Sequence, residues 1–210
     1  VLLQETHLHG TDCHFLGRGA YVRLAHAGYT TGLRGVAILA RKQPPFQISR
    51  TWTDPQGRYV AVQGQWNRMR LTLVSVYAPP RLQEAVFQEV SRVLLASDSS
   101  THIVGGDFND VMDRDLDHSQ IPANVSGATP LSDFASTLGL VGLWHRANPA
   151  ARHYSYFSGA HAVFSRLDYV FAPAGEVRHV MQAEYRARGL SDHSRLWIQV
   201  GWSVGRRDLS

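Results

Sequence analysis

Residues 103–109, Ile-Val-Gly-Gly-Asp-Phe-Asn, restrict the folds open to this chain more than any other stretch. A short apolar run ends in two glycines and then presents Asp107 and Asn109 two residues apart. In extended backbone that spacing puts both on one face and Phe108 on the other. An apolar run before a glycine turn reads as a buried strand, and α/β and two-layer folds place their chemistry just past such strands. The same residues also suit an Asx turn that merely caps the strand. The rest of the chain decides between the two.

Before this stretch, Val1–Thr6 has a strand-like apolar start, and a polar, Gly-rich segment runs to residue 32. Gly35–Ala40 reads as a buried strand and Pro44-Pro45 as a break. Tyr59–Gly64 and Arg70–Tyr77 read as a hairpin turning near Trp66-Asn67-Arg68. Leu82, Val86, Phe87, Val90, Val93 and Leu94 recur at helical spacing. Beyond Asn109, residues 110–129 read as a loop and Leu131–Leu138 as a helix stopped by Gly139. Strands are then expected at Tyr154–Ser158, at Phe164–Ala172, near 178–185 and at Leu196–Trp202. Hairpin-linked strands with few helices predict an α+β fold: a two-layer β-sandwich flanked by helices.

Length bounds the number of domains. With 210 residues and 44% apolar content, one globular domain over residues 1–203 is expected, followed by a tail or linker at 204–210. No apolar run approaches membrane-spanning length and no secretory leader is visible, so a soluble, membrane-free monomer is expected. The single cysteine, Cys13, excludes an internal disulfide and a cysteine zinc cage. Net charge is +4, and Lys42 is the only lysine beside the arginines. Arginine binds phosphate in bidentate fashion and stacks on bases, so this bias leans toward nucleic acid.

Several polar residues stand where apolar strands end. Glu5 closes Leu3-Gln4-Glu5, and Tyr77 closes Val76-Tyr77 before Ala78-Pro79. Each alone suits a surface carboxylate or a packed aromatic. Asp168 interrupts the apolar pattern of Phe164, Leu167, Tyr169, Val170 and Phe171, and a carboxylate there needs a partner. His193, in Ser191-Asp192-His193-Ser194, is the candidate. A carboxylate on one imidazole nitrogen fixes the tautomer and leaves the other edge to face an anion.

Taken in order, Leu3-Gln4-Glu5-Thr6, Val76-Tyr77-Ala78-Pro79, Gly106-Asp107-Phe108-Asn109, Arg166-Leu167-Asp168-Tyr169 and Ser191-Asp192-His193-Ser194 resemble the endonuclease/exonuclease/phosphatase family, which includes apurinic endonucleases and DNase I. Tyr154–Ser158 with Ser165–Asp168, and Leu116-Asp117-His118-Ser119, are similar to the branch encoded by LINE-type non-LTR retrotransposons. The resemblance implies a DNase I-like fold and metal-dependent nicking of double-stranded DNA. Family members carry a further strand, ending in an asparagine, ahead of the segment matching Val1–Glu5. This sequence starts after it.

By resemblance, Glu5 binds Mg²⁺ (or Mn²⁺) with Asp192 near the metal, and Asp107 activates the attacking water that Asn109 orients. His193, polarised by Asp168, donates to a non-bridging oxygen, and Tyr77 sits by the leaving 3′ oxygen. DNA contacts are expected from Arg166 and from Tyr156 with the hairpin tip Ser158, Gly159, Ala160, His161, Ala162 and Val163. Arg18, Arg34, Arg146 and Arg152 are further candidates. The branch implies a nuclear protein whose nick primes a reverse transcriptase domain of the same polyprotein. A phosphatase or phosphodiesterase of this fold and a non-catalytic DNA-binding remnant are the alternatives.

Overall fold

A computed structural model describes residues 1–8, 10–30, 32–99, 101–120, 127–186 and 191–202. The tail expected at 204–210 lies outside the described residues. Among them, the strands are β1 (Leu2–Leu3), β2 (Tyr21–Ala27), β3 (Val36–Arg41), β4 (Gln47–Thr53), β5 (Tyr59–Trp66), β6 (Met69–Tyr77), β7 (Thr101–Asp107), β8 (Leu140–Gly142), β9 (Tyr156–Ser158), β10 (Val163–Ser165), β11 (Asp168–Pro173), β12 (Val180–Arg186) and β13 (Arg195–Val200). The helices are α1 (Gln83–Ala96), α2 (Pro130–Thr137) and α3 (Leu143–Ala147).

A six-stranded sheet in the order β4-β5-β6-β7-β11-β8 forms the centre. All its neighbours are antiparallel except β6 and β7, which run parallel with α1 as the crossover between them. The alternation of β5 and β6 explains its two covered faces. Ala61, Val74 and Val76 pack toward α1 and α2 with Phe87, Val90, Leu131 and Phe134, while Val60, Val62 and Leu73 meet Ala25, Ala27, Val36 and Ile38 of the second layer. That layer is the sheet β1-β3-β2, and the pair β12-β13 forms a separate ribbon against α3 and β11. The expected α+β sandwich with helices outside is the observed fold.

Both longer helices form where the apolar spacing requires. α1 buries Val86, Phe87, Val90, Val93 and Leu94. α2 starts on a reciprocal cap between Thr129 and Ser132, with Pro130 at its first position, and Gly139 follows its end with φ +62°. Asp110 adds a carboxylate oxygen that accepts the Leu131 N–H at 2.9 Å.

Three expectations require correction, and the buried strand expected at the central stretch is β7, which includes Gly105 and Gly106 and continues to Asp107. Gly106 has φ +152°, and a Cβ there would sit 1.8 Å from the Val76 carbonyl oxygen, so only glycine lets β7 approach β6 so closely. The polar segment before residue 32 contains β2, and β4 follows Pro44-Pro45; both are edge strands, where polar side chains face water. The strand expected over Phe164–Ala172 breaks into β10 and β11 at Arg166 and Leu167. The segment near 178 begins as a 3₁₀ turn, Ala174–His179, before β12.

Candidate active site

Strand register assembles the site. Parallel pairing of β6 with β7 sets Tyr77 opposite Asp107, and antiparallel pairing of β11 with β7 sets Asp168 opposite Asp107. A phenol and two carboxylates thus stand abreast at one end of the central sheet. Phe108, fully buried between Asp107 and Asn109, packs on Phe87, Tyr169 and Phe171. Its opposite orientation anchors the turn, and Phe108→Ala would cost about 3–5 kcal/mol.

Asp107 accepts the Asn109 backbone N–H at 3.0 Å on one oxygen and the Asn109 side-chain amide at 3.1 Å on the other. Asn109 holds φ +47° to make both bonds, and Glu5 and His7 across the site have φ +49° and +53°. Such conformations cost of order 1–3 kcal/mol each and concentrate at functional sites. Burial, together with the charges of Asp168 and Glu5, raises the pKa of Asp107 to about 7 against the pull of His193 and the Asn109 N–H.

His193 Nδ1 lies 2.7 Å from Asp168 Oδ2, the pair expected from sequence. Burial disfavours the imidazolium, but the hydrogen bond and charge of Asp168, with Asp107 and Asp192 adding, raise its pKa to about 9. The Tyr156 ring lies 4.8 Å from the imidazole, centroid to centroid. Tyr77 is held protonated: burial, its hydrogen bond to Glu5 and the charges of Glu5 and Asp107 all raise its pKa.

Among the described residues, Asp107, Asp168 and His193 offer ligand atoms within 4.8 Å of one another. Glu5 and Asp192 lie outside this cluster. Both are exposed, and each acts on it through charge, Glu5 on Asp107 and Asp192 on His193. The oxygen donors of Glu5 and Asp107 are of the kind that suit a hard divalent cation. Burial first, and then the charges of Asp168 and Glu5, disfavour the ionised Asp107 carboxylate, and a bound cation would offset that charge.

The hairpin expected between two strands is present as β9 and β10, with Ser158 opposite Val163 and the exposed turn Gly159–Ala162 at its tip. Arg166 is a correction. It is fully buried, and no phosphate can reach it. Its Nε donates to the His153 carbonyl at 2.9 Å, its Nη2 to the Ala151 carbonyl at 3.3 Å, and its guanidinium stacks 4.1 Å over Trp144. Arg34 stays at the rim, 5.4 Å over Tyr29, where its charge lowers the Tyr77 pKa.

Sequence reasoning passed over Gln4 and Ser75. Gln4 donates to Ser75 Oγ at 3.0 Å, and Ser75 donates to the Leu3 carbonyl at 3.0 Å. These bonds lock the segment carrying Glu5 onto β6 two residues before Tyr77. The signal was a polar residue within an apolar strand, next to a candidate, in need of a partner.

A sandwich with its polar cluster at the strand ends of the central sheet is the DNase I-like architecture. Residues 1–193 match the Endonuclease/Exonuclease/phosphatase family, and the chain belongs to that family of nucleases and phosphatases. Among solved structures, it is similar to the AP endonuclease LMAP from Leishmania major, 15% identical over 96% of this chain and 78% of that one, with TM-score 0.71. The 3′ phosphatase NExo from Neisseria, bound to a product DNA hairpin, is 18% identical over 96% of this chain and 88% of that one, with TM-score 0.74. A 3′-5′ exonuclease from Neisseria meningitidis matches at 18% identity over the same shares, with TM-score 0.71.

Proposed function

We propose that this chain is a metal-dependent endodeoxyribonuclease domain that nicks duplex DNA, leaving 3′-hydroxyl and 5′-phosphate ends. The observation that carries the reading is the alignment of Tyr77, Asp107 and Asp168 on adjacent strands, with His193 2.7 Å from Asp168. A phosphodiester anion repels its nucleophile, so hydrolysis needs a positioned base, donors aimed at developing charge and neutralisation. Asp107 is the base. Asn109 occupies one acceptor site on each of its oxygens and so orients the remaining lone pairs toward a water. His193, with Nδ1 engaged by Asp168, presents Nε2–H to a non-bridging oxygen. Tyr77 stays a neutral phenol beside the leaving 3′ oxygen. Mg²⁺, or Mn²⁺, would neutralise phosphate charge as a hard Lewis acid, held by Glu5 with Asp192 nearby.

Double-stranded DNA as substrate is supported by the arginine-rich charge of +4 and by the DNA-bound neighbour. The motifs around Leu116–Ser119 and Tyr154–Asp168 support a LINE-type retrotransposon origin, a reverse transcriptase domain in the same polyprotein and action in the nucleus.

Supercoiled plasmid with Mg²⁺ or with EDTA tests the activity. Relaxation to the nicked circle only with Mg²⁺, with ends that a polymerase extends directly, is expected. Intact plasmid together with release of phosphate from a 3′-phosphorylated oligonucleotide would assign a phosphatase, and retarded but intact plasmid a DNA-binding remnant. Full-length protein with template RNA should join complementary DNA to the nicked strand; unjoined product would remove the retrotransposon role.

A further inference from the structure

Ser155 sits behind the histidine–aspartate pair with no surface open to water, and nothing in the proposed chemistry uses it. Its Oγ accepts the N–H groups of Leu167 at 2.9 Å and Asp168 at 3.2 Å. Its carbonyl accepts the N–H of Ser194 at 2.7 Å, and its own N–H donates to the Ser165 carbonyl at 3.0 Å. One buried residue therefore grips the chain where it enters Asp168 and again immediately after His193.

We infer that Ser155 is a positioning residue that sets the Asp168–His193 geometry. Asp168 pairs with Asp107 at the first position of β11, but the chain just before it and the chain around His193 lie outside the ladders. Leu167 lies in the break between β10 and β11, and His193 precedes β13, joined to its surroundings by an isolated bridge with Tyr156. Ser155 supplies the acceptor that the missing ladder does not. Tyr185 completes the grip, its hydroxyl donating to the Asp168 carbonyl at 2.5 Å. With its N–H and its C=O both fixed, the backbone of Asp168 has one orientation, and its carboxylate reaches His193. Without the Ser155 hydroxyl, two N–H groups at this break would lose their acceptor, and the chain would shift to find others.

The inference rests on the nuclease reading for its rate effect and not for its structural readout. In metal-free protein, the downfield imidazole Nδ1–H resonance of His193 reports its bond to Asp168. Ser155→Ala should move or broaden that resonance and slow single-turnover nicking by roughly 10- to 100-fold, with duplex affinity within about twofold of wild type. Ser155→Thr, which keeps the acceptor oxygen, should restore both. If the alanine variant does not fold, Ser155→Cys, similar in size but a weak acceptor, takes its place. A folded variant with lowered Tm but an unchanged resonance and rate would overturn the inference. A wild-type protein that fails to nick would defeat the nuclease reading while the resonance still decides the role of Ser155.

Discussion

Arg166 and Asp117 form an ion pair with Nη1 2.8 Å from Oδ1 and both side chains closed to water. Around it, the Arg166 N–H donates to the Asp117 carbonyl, and the single proton of the Tyr169 hydroxyl faces two acceptors, Asp117 Oδ2 at 2.9 Å and the Arg166 carbonyl at 2.8 Å. The pair joins the loop after the central motif to the strand break that precedes Asp168. Removing one partner strands a buried charge, so Arg166→Ala should lower unfolding free energy by about 3–5 kcal/mol in urea titration. Wild-type stability with weakened DNA binding would instead return Arg166 to the interface.

That residue shows where sequence reading stopped. An arginine beside a candidate aspartate looks like a phosphate contact, because its partner lies 49 positions earlier in a loop without periodicity. Asp168 and His193 were legible as a pair because a carboxylate in an apolar strand demands a partner and few were on offer. α1 and α2 were legible from their spacing. β2 and β4 were not, since edge strands carry polar side chains on open faces and show little alternation.

Asp107→Asn keeps the shape of the central carboxylate and removes its basicity. Nicking should fall by about 10²–10⁴-fold while duplex affinity holds. The melting temperature should stay level or rise, because the variant loses the repulsion from Asp168 and Glu5. Retained nicking would exclude Asp107 as the base.

Stability of the metal-free protein should fall as pH rises. His193, at about 9 against an ordinary 6.5, and Asp107, at about 7 against 3.8, both hold protons more tightly folded than unfolded. Each contribution is complete below the unfolded value and lost as pH passes the folded one. Thermal melts should show one decline ending near pH 7, absent in Asp107→Asn, and another ending near pH 9, absent in His193→Ala. A melting temperature constant over this range would refute both assignments.

Glu5→Gln tests the cation. Loss of one charged contact is worth about 1.5–3 kcal/mol, so half-maximal nicking should need roughly 10- to 100-fold more Mg²⁺. An unchanged Mg²⁺ requirement would place the ion elsewhere.

Exchanging hairpin residues 158–163 for a different tip should redistribute nicks along a long duplex without abolishing cleavage. A minor groove roughly 6 Å wide admits a narrow turn of small residues. An unaltered cleavage ladder on end-labelled DNA would remove the hairpin from target choice.

The contact of Gly106 with the Val76 carbonyl has a consequence for how this site tolerates change. Tyr77 and Asp107 directly follow Val76 and Gly106 as the last residues of β6 and β7, so the spacing between phenol and carboxylate is a backbone-to-backbone distance that side chains do not set. Any replacement at 106 inserts a wedge at the hinge of that spacing. Position 106, which holds no reactive group, should therefore be as intolerant of substitution as the residues that do.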